Sequence, residues 1–91
     1  MKKFVIEREL PGAGKLSKEE LRAIAKTSCD VINNLGRHYH WLASFVTENK
    51  IYCIHIAEDK DIICEHAEKG GFPVTCVAEV ATIIDPTTSA C

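Results

Sequence analysis

Tyr39-His40-Trp41-Leu42-Ala43-Ser44-Phe45-Val46-Thr47-Glu48-Asn49-Lys50-Ile51-Tyr52-Cys53-Ile54-His55-Ile56-Ala57-Glu58 decides the fold. Aromatic and β-branched residues flank Glu48-Asn49, and asparagine tolerates the positive φ that a two-residue hairpin turn asks for. With that turn, Thr47 pairs with Lys50, Phe45 with Tyr52, Ala43 with Ile54 and Trp41 with Ile56. Those side chains share one side of the sheet, because strand residues alternate. The opposite side carries Val46 against Ile51, Ser44 against Cys53, Leu42 against His55 and His40 against Ala57. The first side is large and apolar, each aromatic ring there burying about 150–250 Å², so it is expected to lie beneath the helices. The second is mixed and is expected to stay open.

Upstream, Lys3 to Glu9 alternates as a strand, with Phe4 and Ile6 facing one way and Val5, Glu7 and Glu9 the other. Leu10-Pro11-Gly12-Ala13-Gly14 breaks it. The run Gly12-Ala13-Gly14-Lys15-Leu16-Ser17 is not a phosphate-binding loop: that pattern requires glycine where Glu9 stands and Ser or Thr where Leu16 stands. Ser17 and Glu20 form a capping box, Leu16 and Leu21 a hydrophobic staple. Leu21, Ile24, Ala25, Ser28, Ile32 and Leu35 then recur at helical spacing until Gly36. Downstream of the hairpin, Asp59 caps a second helix with Ile62, Ile63, His66 and Ala67 on its inner stripe, ended by Gly70-Gly71 and Pro73. Val74 to Ile84 reads as a last strand.

The order strand, helix, strand, strand, helix, strand is the α+β, ferredoxin-like βαββαβ arrangement: a four-stranded antiparallel sheet with two helices on one face. A partly apolar open face usually finds a partner, and two such sheets face to face close a dimeric α+β barrel. The expected partner is therefore a second copy, a homodimer through the open sheet face. Residues 1–86 are expected to form the single domain and 87–91 a flexible tail.

With 91 residues and a net charge of −2, the chain carries no nucleic-acid footprint. It has no apolar run near the roughly 20 residues a membrane span requires. Glu7, Arg8 and Glu9 interrupt the initial apolar run too early for a signal peptide, and a cytoplasmic location is expected. The five cysteines are an odd number without a CxxC pair, which argues against a disulfide framework or a zinc knuckle.

On that face assignment, the open side gathers Glu7, His40, Ser44, Cys53, His55 and Glu79, with His38 two residues from His40. Imidazoles, a thiol and carboxylates are donors for Ni²⁺, Zn²⁺ or Cu²⁺. A transition-metal site built from His40, His55, Cys53, Glu7 and His38 is the resulting expectation, weighed against histidines that are simply polar residues on a sheet surface. No organic cofactor is expected. His66, near the C-terminal end of the second helix, is the candidate acid or base of an alternative site.

Three stretches carry a family resemblance: Glu7-Arg8-Glu9-Leu10-Pro11-Gly12, Thr47-Glu48-Asn49-Lys50-Ile51-Tyr52-Cys53, and Glu65-His66-Ala67-Glu68-Lys69-Gly70-Gly71-Phe72-Pro73. Together they resemble a family of small bacterial ferredoxin-like proteins of unknown function, also described as nickel-responsive or nickel-binding. The resemblance spans roughly Lys3 to Thr88. It implies a dimeric ferredoxin-like fold and nickel at the dimer surface, without a motif that transfers a ligand position by position. The leading expectation is a small cytosolic nickel-binding dimer. The alternative is a dimeric barrel enzyme or small-molecule binder with a cleft between sheet and helices, His66 serving as acid or base. A dimer with a purely structural role is the third possibility.

Overall fold

The computed structural model describes residues 1–90. Strands β1 (Lys2–Glu9), β2 (Tyr39–Val46), β3 (Lys50–Ala57) and β4 (Cys76–Glu79) form one sheet in the order β2-β3-β1-β4. All three pairings are antiparallel. Helices α1 (Lys18–Leu35) and α2 (Lys60–Gly70) cover one face, and short 3₁₀ turns occupy Ala13–Lys15 and Pro86–Ser89. This is the expected ferredoxin-like fold.

The helix boundaries follow from the caps. Ser17 Oγ accepts from Glu20 N, and the Glu20 carboxylate accepts from Ser17 N, so two otherwise orphaned donors are satisfied together. Gly36 closes α1 with φ of 65°, in the left-handed region that glycine enters without a Cβ clash. In α2 the Asp59 carboxylate accepts from Ile62 N, and the stripe Ile62, Ile63, His66 and Ala67 is buried as the spacing predicts.

The hairpin turns at Glu48-Asn49, but not through positive φ at Asn49. Thr47 N donates to Lys50 O, and Thr47 Oγ1 accepts from Lys50 N. Asn49 instead braces the β1–α1 connection: its side-chain oxygen accepts from Gly12 N, its carbonyl accepts from Leu10 N, and Glu48 O accepts from Gly14 N. A Cβ on Gly14 would sit 3.0 Å from Glu48 Cα and 3.2 Å from Thr47 O. The glycine-rich stretch therefore lets two backbones meet.

Three expectations about the strands are corrected. The register runs as predicted from Val46–Ile51 to Ala43–Ile54, and then a bulge between Trp41 and Ala43 shifts it, pairing Trp41 with His55 and His40 with Ile56. The face assignment is inverted as well. Phe4 and Ile6 point into the helix-covered core, and their partners across the ladder are His55 and Cys53. Directly paired residues share a face, so Cys53 and His55 lie beneath the helices. Phe45, Tyr52, Ile54 and Ile56 lie on the open side. Glu79 pairs with Phe4, which puts it on the helix side. The last strand is also shorter than Val74–Ile84. Thr75 N and Val80 N donate to Glu7 O and Lys3 O, on either side of the four paired residues; past Lys3 the neighbouring strand has almost run out.

Candidate functional site

Between the helix-covered face and α1 and α2 lies a cavity of about 220 Å³ with an almost wholly apolar wall. Leu21, Ile24 and Ala25 reach it from α1, Trp41 from β2, Ile51 from β3, and Phe72 from the segment after α2. Its polar members are Arg8, Ser28, Ser44, Cys53, His55 and His66.

The two histidines belong to one ring cluster. Tyr39 stacks on His66 at 5.0 Å between centroids, and His55 meets both edge-on at 5.1 and 5.3 Å. Phe72 follows at 5.4 Å from His66, with the Arg8 guanidinium over its ring at 5.5 Å. The Tyr39 hydroxyl bonds His55 Nδ1, and Ser28 Oγ bonds His66 Nε2 at 3.0 Å. Both imidazoles are 1% exposed. Burial lowers His55 to about 3, with the His66 and Arg8 charges adding to it. Burial, and then Arg8, lowers His66 to about 4. Burial raises the Tyr39 phenol, so it stays protonated beside neutral His55. His66 Nδ1 is buried with no partner among the described residues.

Arg8 alternates with Phe4 and Ile6 on β1 and is therefore carried under the helices, 4% exposed. Its Nε donates to Cys53 Sγ at 3.4 Å and its Nη1 to Pro73 O at 2.9 Å. Among the described residues no carboxylate pairs with it. Ser44 Oγ donates to Cys53 Sγ and accepts from Trp41 Nε1. The parity that buries Phe4 and Ile6 was the sequence signal for Arg8. Ser28 was marked by its place in the apolar stripe of α1, whereas Tyr39 carried no such signal, because its ring partners come from distant elements.

The residues expected to hold a metal are not brought together. Cys53 and His55 face the helices, whereas Glu7 and His40 are on the opposite side of the sheet, opposite Tyr52 and Ile56. Glu7 accepts from Lys50 Nζ at 3.4 Å. His38 and His40 are exposed at the β2 edge and border one surface hollow with Asn33. No group of three His, Cys, Asp or Glu residues able to hold a metal ion is found among the described residues. His66 does line a cavity between sheet and helices. The four described cysteines are free thiols, and among the described residues no helix is long and apolar enough to cross a membrane.

No curated protein matches the chain. Among solved structures, the crystal structure of SCO4226 from Streptomyces coelicolor A3(2) is similar. Its TM-score is 0.76 at 14% identity, over 90% of this chain and 99% of that one. At that identity the likeness concerns the fold. The family model described as nickel responsive protein SCO4226-like matches residues 4–80. The chain accordingly belongs to the SCO4226-like family of nickel responsive proteins.

Proposed function

We propose that this chain is a small cytoplasmic nickel-binding protein that acts as a homodimer in a metal response. Membership of the nickel responsive family across residues 4–80 carries this reading. Among the described residues, the donors of one copy do not enclose an ion. Exposed His38 and His40 fit a two-point attachment by borderline nitrogen ligands, which suit Ni²⁺. His40 shares its face with Ile56, so a second copy on that face supplies further donors, and water fills the remaining positions. Calorimetric titration with NiCl₂ tests it. Micromolar binding by the wild type and at least tenfold weaker binding by His38→Ala/His40→Ala are expected. No heat at micromolar metal, or unchanged binding by the double variant, overturns it.

The cavity favours a second reading, a small-molecule binder. Here His66 is a poor general base at pH 7, since a pKa of about 4 lies far below the operating pH. Neutral His55 and His66 act instead as hydrogen-bonding groups in a largely apolar site, and binding is favoured over proton transfer.

A further inference from the structure

The cavity holds an uncompensated charge. Arg8 is almost wholly buried, and its partners among the described residues are a sulfur, a carbonyl and an aromatic face, none of them an anion. A buried cation is costly unless it is paired. Neither neighbouring imidazole offsets it, because both are neutral and both are pushed further from protonation by Arg8 itself. Ser28, Ser44 and Cys53 are already engaged in hydrogen bonds, and the remaining wall is hydrocarbon and aromatic ring. A buried polar nitrogen left without a partner, His66 Nδ1, belongs to the same lining. Native structures rarely leave such groups unmet unless a ligand or water meets them.

We propose that this cavity binds a small apolar carboxylate, its carboxylate on Arg8 and its hydrocarbon part among Leu21, Ile24, Trp41, Ile51 and Phe72. Guanidinium is matched to carboxylate by charge and by planar geometry. The volume suits the class: an apolar cavity of about 150 Å³ holds benzene, and about 220 Å³ leaves room for a carboxylate beside a ring of that size. The inference rests on the second reading above and adds the charge of the ligand to it.

Trp41 is the single tryptophan and lines the cavity, so its emission reports occupancy in the full chain. Titration with benzoate is expected to give a saturable change at concentrations at least tenfold below those needed with neutral benzamide. Arg8→Met, which keeps the stem and removes the charge, is expected to bring the two probes within about twofold. Ala25→Phe, at a half-buried position on the cavity wall, is expected to abolish both responses. Equal affinity for the two probes in the wild type leaves a neutral binding cavity and overturns the carboxylate. An undiminished preference for benzoate in Arg8→Met overturns the role of Arg8. No saturable response to either probe overturns this inference together with the binder reading. The wild-type comparison of the two probes decides the charge question even if Arg8→Met does not fold.

Discussion

His55 and His66 are the residues at which packing has overruled ordinary chemistry. Each sits in a ring cluster with Tyr39, between sheet and helices and near a buried guanidinium, and each is held neutral. Their folded-state pKa values, about 3 and about 4, lie below the roughly 6.5 of an unfolded histidine. Below pH 6.5 the unfolded chain therefore binds protons that the folded chain refuses. The stability they confer is complete above that pH and is lost as the pH falls toward 4. At pH 5 the loss is about 2 kcal/mol per ring, from one and a half pH units at about 1.4 kcal/mol each. Urea unfolding at pH 7 and pH 5 should show this loss. His66→Phe should flatten the acid limb by about half while changing stability at pH 7 by less than about 1 kcal/mol. It removes an orphaned nitrogen, and Ser28 can turn its hydroxyl back to its own helix. A stability profile that stays level between pH 7 and 5 would contradict the neutral assignment.

The hairpin and the β1–α1 connection form one unit. Leu10, Gly12 and Gly14 donate to three oxygens of the turn, the Asn49 carbonyl, the Asn49 side chain and the Glu48 carbonyl. Gly14→Ala should destabilise the fold by about 1–2 kcal/mol, because the backbone of Glu48 must retreat from a Cβ at 3.0 Å. Asn49→Ala should cost about 1 kcal/mol through the lost bond to Gly12 N. Chemical denaturation measures both, and a Gly14→Ala protein as stable as wild type would show that the approach is looser than described. The bulge near Leu42 belongs to the same element. It turns Trp41 to the side of His55 and leaves Leu42 exposed, so the indole lines the cavity.

The molecule as a whole is asymmetric across its sheet. One face is sealed by α1 and α2. The other presents Val5, Phe45, Tyr52, Ile54 and Ile56, with Phe45 57% exposed. Contiguous apolar surface of this kind marks an interaction site, and the proposed occupant is a second copy. Light scattering should give a dimer mass for the wild type. Ile54→Lys, in the middle of that face, should shift it to a monomer, since pairing would bury an unpaired ammonium. A monomeric wild type, or a dimer indifferent to Ile54→Lys, would refute a sheet-to-sheet contact.

Local chemistry was enough for the element order, both helix caps, the inner stripe of α2, the site of the hairpin turn and the register near it. Those features depend on residues within a few positions of one another, and they were legible in the chain. The choice of which sheet face meets the helices was not. It hangs on the pairing of Phe4 with His55 and Ile6 with Cys53 across β1 and β3, a contact between strands far apart in the chain. Size misled as well. The larger apolar residues of β3 went to the open face, because Phe4, Ile6, Tyr39, Ile62 and Ile63 already fill the covered one. With that inversion, the thiol and imidazole expected on a metal-binding surface became walls of an interior cavity. The arginine that makes the cavity distinctive was brought inside by the same alternation that buries its neighbours Phe4 and Ile6.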